Sequence, residues 1–452
     1  MSGASPASTV RIESKAQMVE RLEGGCRPKA EWKIGTEHEK IGFHVATRKP
    51  LAYEDGIRPL LEGLQRFDWE PVTEGGHLIA LRREGASISL EPGGQFELSG
   101  APLEHVHQTC AEMNRHLREV KAVADETGAA FLNLGFRPVT RLEDVPVMPK
   151  GRYALMKAYM PRVGTLGHEM MFRTCTVQTN LDFGSEADMV KKMRVSLALQ
   201  PVATALFANS PFKDGGLSGY KSYRSHVWTD VDGDRSGMLP WVFEDGFGFE
   251  RYVDYALDVP MYFVHRDGTY QDALGLSFRD FLEGRLDVVP GELPTMSDFD
   301  DHLSTIFPEV RLKTFIEMRG ADTGPWKEIC ALPAFWVGLL YDGTSLDAAW
   351  DLVRDWTAEE RQALRDAVPA GGLQTPFRDT TVLEIARQCL AIAREGLNAR
   401  ARLNMHGENE TVFLQELDRM VAEGRSNADR LIDLYEGEWA GDVSRVYEEC
   451  VY

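Results

Sequence analysis

Four short segments of this chain concentrate side chains of the kind that hold metal ions and phosphate. The first runs Gly35-Thr36-Glu37-His38-Glu39-Lys40. In an extended strand the side chains alternate between faces, so Glu37 and Glu39 sit side by side while His38 points the other way. Two neighbouring carboxylates repel. On a solvated face that costs little, but inside a cleft they require a divalent cation, and hard oxygen ligands suit magnesium. The second segment, Glu91-Pro92-Gly93-Gly94-Gln95-Phe96-Glu97, has the turn residues of a hairpin whose arms bring Glu91 toward Glu97, with Gln95 on the Glu97 face. It reads equally as a surface hairpin with acidic rims. Lacking a Walker pattern and a following helix, it is not a phosphate loop.

The third segment, residues 174–183, reads as a strand with Thr174, Thr176, Gln178, Asn180 and Asp182 on one face and Cys175, Val177, Thr179, Leu181 and Phe183 on the other. Such a polar face borders water or lines a polar cavity, where its amides can bind ligands or order carboxylates. Cys175 falls on the packed face, and no cysteine is given a covalent role. In the fourth, residues 315–322, Glu317 and Arg319 share a face, either as a simple ion pair or as a metal-ligating carboxylate beside a guanidinium that meets phosphate oxygens. Arg152 and Arg224, flanked by aromatic residues in expected loops, are solvated or hold a substrate carboxylate or phosphate in their forks.

Other chemistries are disfavoured. The eleven histidines form no H-E-x-x-H pattern, and no G-x-S-x-G elbow, dinucleotide fingerprint or kinase signature set occurs. The 50 Lys+Arg against 70 Asp+Glu give a net charge of −20, which opposes attraction to nucleic acids and anionic membranes. No apolar run is long enough to span a bilayer and the first residues lack a signal-peptide core, so the expected location is cytoplasmic. Six cysteines without zinc-like spacing imply reduced thiols.

The elements that must carry these residues follow from periodicity and punctuation. After a mobile leader over residues 1–10, Ser14 and Gln17 form a capping box for a short helix that stops at Gly24-Gly25. Strands are expected over residues 32–45, 78–82, 87–98 (broken into a hairpin at Pro92), 131–136, 170–183, 261–265 and 310–319, and helices over 103–126 and 186–208. Residues 213–248 read as a long functional loop, and the chain beyond 346 as mostly helical. Strands without regular strand-helix alternation predict α+β, with a mainly antiparallel sheet in a single domain over residues 11–452.

Taken in order, residues 34–40, 91–100, 172–178 and 325–336 resemble the plant-type glutamate–cysteine ligases, a family also found in proteobacteria and distantly similar to glutamine synthetase. The resemblance spans nearly the whole chain. It implies a glutamine synthetase-like, bowl-shaped antiparallel sheet covered by helices, binding ATP and two or three magnesium ions (Mg2+). The implied reaction joins the γ-carboxylate of glutamate to the amine of cysteine through γ-glutamyl phosphate, the first step of glutathione biosynthesis, in a monomer or weak homodimer. By motif position, Glu37, Glu39, Glu91, Glu97, Gln178 and Glu317 are the implied metal ligands. Arg319, with Glu317, faces the phosphates, and Arg152, Arg224 and Tyr262 hold glutamate. Cys110 and Cys330, the latter just before an expected turn at Ala331-Leu332-Pro333, match positions that pair as a regulatory disulfide in plant relatives. A second pair is absent, with Ala273 and Val288 in its place. The competing readings are a ligase with another amine acceptor and a non-catalytic metal- or nucleotide-binding regulator.

Overall fold

The computed structural model describes Ser8 and residues 10–452, so the expected leader lies largely outside the described residues. Nine strands form the main sheet: β1 (Ile34–His44), β2 (Glu70–Glu74), β3 (His77–Arg83), β4 (Ala86–Leu90), β5 (Gln95–Ser99), β6 (Ala129–Leu132), β7 (Thr176–Leu181), β8 (Val310–Leu312) and β9 (Ile316–Asp322). Their order is β8-β9-β7-β1-β5-β4-β3-β2, and β6 pairs with the far half of β1. Every pairing is antiparallel. The central position of β1 follows from its length. At eleven residues it pairs with β7 through Ile34–His38, with β6 through Ile41–His44, and with β5 along the other edge.

The hairpin at Pro92 forms as its residues dictate. Gly94 has φ +78°, and a Cβ at Gly93 would collide with the carbonyl of Phe172, so both glycines are required. Behind the sheet, the helix Val106–Thr127 is capped by His105 and ends at left-handed Gly128, close to the expected span. The helix Glu186–Leu206 starts at Ser185, which accepts from the Asp188 amide, and is buried over its last two-thirds. The capping box of Ser14 and Gln17 is present, and the region after residue 342 is mostly helical.

Four expectations need correction. Residues 170–173 are not strand but the end of the helix Gly167–Arg173. There the buried Arg173 guanidinium bonds Glu169 four residues back, and Thr174 Oγ1 donates to Met170 O at 2.6 Å, contacts that only a helical turn supplies. Residues 310–319 are two strands, not one, reversing at Lys313-Thr314-Phe315. The segment 213–248 is not one irregular loop, since it holds the helix Tyr223–Val227 and a 3-10 turn at Pro240–Phe243. The expected turn after Cys330 is absent. Pro333 lies inside the helix Trp326–Leu340, where burial of nearly every side chain outweighs the one missing backbone donor.

Candidate active site

The register of the sheet assembles one polar face. Glu39 lies directly opposite Glu97 across β1 and β5, Glu37 opposite Gln178 across β1 and β7, and Glu317 opposite Asn180 across β7 and β9. Facing pairs on adjacent strands have Cβ atoms about 5 Å apart, so the carboxylates of Glu37, Glu39 and Glu97 crowd together. Glu37 and Glu97 are buried, Glu97 at 4% exposure, and Glu39 is half-buried. Asn180 Nδ2 donates to Glu37 at 3.0 Å, the Thr176 amide donates to Glu39 at 3.0 Å, and Ser89 and Ser99 donate to Glu97 at 2.7 and 3.2 Å. Glu91, at the base of the hairpin, is half-buried and repels Glu39.

Burial raises the pKa of Glu39 well above the usual carboxylate range, and repulsion from Glu91 and Glu97 adds to it. Glu37 is raised by burial and by the charges of Glu317 and Glu97. Glu317 behaves oppositely. Although burial pushes it up, Arg311, Lys313 and Arg319 hold it well below the usual range. Arg311 grips it bidentately through Nη2 at 2.8 Å and Nε at 3.1 Å, Lys313 Nζ lies 3.1 Å away, and Arg319 bonds both Glu317 and, at 2.8 Å, Gln178 Oε1. Positive charge on this face is thus concentrated at Glu317, whereas the Glu37, Glu39, Glu97 group carries an excess of negative charge.

Arg152 and Arg224 are not in loops. Each sits in the first turn of a short helix, Gly151–Tyr159 and Tyr223–Val227, and each is buried. Arg224 Nη2 donates to the Arg319 carbonyl at 2.8 Å, and Asp322 fixes its helix by accepting from Ser210 at 2.6 Å and from the capping Ser222 at 2.8 Å. Arg224 Nε, and Nε and Nη1 of Arg152, have no hydrogen-bond partner among the described residues. A buried guanidinium with idle donors is an anion receptor. Tyr262 lies near Arg152, but its ring is covered by Arg235 at 3.8 Å, and its hydroxyl lies 3.9 Å from Met160 Sδ.

Glu37, Ser89, Ser99, Asn180 and Lys313 line one wall of a cavity of 1060 Å³ whose other walls include Val72, Ile79, Ala80 and Phe315. Polar and apolar linings together suit a ligand of mixed character. Lys150, also on this cavity, has its pKa lowered to about 8 by burial, and its ammonium donates to Leu90 O at 2.7 Å. The sequence reading missed Arg311, Lys313, Lys150 and Asp322. For the first two, a turn signal at Lys313-Thr314 was needed to fold Arg311 back onto Glu317, and those residues carry none.

The family model for glutamate-cysteine ligase family 2 matches residues 33–449. The chain belongs to this family. It is 58% identical to the chloroplastic glutamate–cysteine ligase of Nicotiana tabacum, over 97% of this chain and 83% of that protein. It is also 58% identical to glutamate–cysteine ligase B, chloroplastic, of Oryza sativa subsp. japonica, over 97% and 87%. Among solved structures, glutamate–cysteine ligase from Francisella tularensis in complex with AMP covers 92% of this chain and 88% of its own, with TM-score 0.55 at 12% identity, a likeness of fold. The expectation of a cytoplasmic location is overturned, because the similar plant proteins are chloroplastic ligases. Among the described residues no helix is long and apolar enough to cross a membrane.

Reduced thiols were the expectation from composition, and the structure corrects it for one pair. Cys110, on the helix Val106–Thr127, and Cys330, on the helix Trp326–Leu340, form a disulfide with α-carbons 5.4 Å apart. Cys26, Cys175, Cys389 and Cys450 are free, and burial pushes the Cys175 thiol well above its ordinary range, as befits a packing residue.

Proposed function

We propose that residues 11–452 are a catalytic domain that joins the γ-carboxylate of glutamate to the amine of cysteine at the expense of ATP. The observation that carries this reading is the pairing of a buried acidic face with buried arginines whose donors are idle, in a chain 58% identical to named glutamate–cysteine ligases. A carboxylate is a poor electrophile. Its oxygen therefore attacks the γ-phosphorus of ATP, the bond to the β,γ-bridging oxygen breaks, and ADP leaves. The cysteine nitrogen then attacks the acyl carbon, phosphate departs, and the nitrogen releases a proton to solvent. Such chemistry needs positioning and charge neutralisation rather than a nucleophilic side chain.

The geometry supports the following residue roles. Arg152 and Arg224 offer their idle donors to the carboxylates of glutamate. Arg319, pinned by Glu317 and Gln178, presents fixed positive charge to the transferring phosphoryl group. Magnesium fits the excess charge of Glu37, Glu39, Glu91 and Glu97, whose ligand atoms are all hard oxygens. Among the described residues no three His, Cys, Asp or Glu form a ready-made cage. Magnesium is usually held by one or two carboxylates, with water and substrate phosphates completing its shell. Bound there, it would neutralise phosphate charge. Glu317, surrounded by three cations, is better placed to orient Arg319 than to bind metal.

The test is phosphate release from ATP with glutamate, with and without cysteine, and the mass of the product. Cysteine-dependent formation of γ-glutamylcysteine is expected. Release that is stimulated equally by another amine, with that amine in the product, would replace cysteine as acceptor, and no glutamate-dependent release would reject the ligase reading.

A further inference from the structure

Behind the acidic face, Tyr452 joins two strands that the sheet connects only indirectly. β7 lies between β1 and β9, and the β7–β9 register slips between Met318 and Ala321, beside Arg319. A bulge loosens a ladder locally, so the position of Arg319 relative to β1 needs support from outside the sheet. The phenol of Tyr452 supplies it. Its oxygen lies 2.8 Å from His38 Nε2 and donates at 2.8 Å to the carbonyl of Gly324, two residues beyond β9. Thr323, 3.4 Å from the same oxygen, donates to the carbonyl of Glu39 at 3.2 Å. The Tyr452 amide is itself anchored on the Phe131 carbonyl of β6 at 3.1 Å.

The hydrogens can be assigned. The single phenol hydrogen goes to Gly324, so toward His38 the oxygen can only accept, and His38 Nε2 carries the hydrogen. His38 sits between Glu37 and Glu39 with its side chain on the opposite face, fully buried. A contact on its ring therefore fixes the strand segment whose two neighbouring side chains form the acidic face.

We propose that Tyr452 is a positioning residue, clamping β1 through His38 to the end of β9 so that the Glu37 and Glu39 carboxylates keep their place against Arg319. This rests on the ligase reading above. Tyr452→Phe keeps the ring and removes the hydroxyl. Because displacements of an ångström in a reacting array cost up to about a hundredfold, a kcat loss of about tenfold is expected, with KM for glutamate and ATP within about threefold. A purely structural role would instead lower the melting temperature and leave the kcat of the folded fraction unchanged.

The path through His38 is tested with His38→Leu, which removes the donor, and His38→Gln, which places an amide N–H near the Nε2 position. His38→Leu should lose activity like Tyr452→Phe, the two losses should not multiply in the double variant, and His38→Gln should recover most of kcat. A Tyr452→Phe enzyme within about twofold of wild type, or losses that multiply fully, would overturn the proposal. Should His38→Leu not fold, Tyr452→Phe decides alone by the same tenfold loss or its absence. An inactive wild-type chain would reject the ligase reading, whereas an active wild type with an unaffected Tyr452→Phe variant rejects this inference only.

Discussion

Replacing Glu97 by Gln should make the protein more stable and inactive at once. Buried Glu97 faces half-buried Glu39 across adjacent strands and, after burial and Glu91, contributes to holding the Glu39 carboxyl well above its ordinary pKa. At a separation of about 6 Å and an effective dielectric of 20, two unit charges repel by roughly 3 kcal/mol. Solvent reaching the half-buried Glu39 screens part of this repulsion, which reduces the expected gain to about 1–2 kcal/mol. The amide conserves shape, and Ser89 and Ser99, which donate to the carboxylate, can rotate to accept from an N–H.

The sign with pH follows from the same shift. A carboxyl whose folded pKa is raised adds stability below its unfolded pKa and loses it as pH rises through the folded value, so stability should fall with pH above about 4.3. Glu97→Gln should flatten that fall. The assay is urea unfolding from pH 5 to 8 with a chelator present, alongside phosphate release at saturating magnesium. A variant destabilised by more than about 1 kcal/mol in chelator, or one that turns over near the wild-type rate, would refute the idea that Glu97 is an uncompensated buried charge kept for function.

Removing Arg311 leaves Glu317 with only Lys313 and Arg319, and breaking so buried a pair costs about 3–5 kcal/mol; Arg311→Leu should show it as a lower urea midpoint, and an unchanged midpoint would mean that the remaining cations suffice. Arg224→Ala should raise the glutamate requirement about tenfold while the ATP requirement changes little, read from initial rates, because its idle Nε faces no other described acceptor; equal losses for both substrates would remove Arg224 from the glutamate site. Opening the Cys110–Cys330 link frees a loop with a sequence separation of 220 residues. Chain entropy then predicts a loss of up to about 5 kcal/mol, seen as a lower melting temperature under reductant and abolished by Cys110→Ser; absence of the linked peptide on mapping would contradict the pairing.

The sequence by itself determined the local chemistry. Alternation in β1 put Glu37 and Glu39 on one face and His38 on the other, Pro92-Gly93-Gly94 set the hairpin that returns Glu97, and the polar row of residues 174–182 put Gln178 and Asn180 toward the carboxylates. These are consequences of period and turn type, which neighbouring residues encode. What the tertiary structure decided is who faces whom across long separations. The reversal at Lys313-Thr314-Phe315 brought Arg311 and Lys313 onto Glu317, for which neighbouring residues had offered only Arg319 as a partner. Helical turns, not loops, buried Arg152 and Arg224 with donors left idle. The Cys110–Cys330 link, which no spacing rule could pair, depends on two helices meeting behind the sheet. Pairing over 100 residues or more depends on strand order and helix packing, quantities summed over the whole core, and no short segment of sequence contains them.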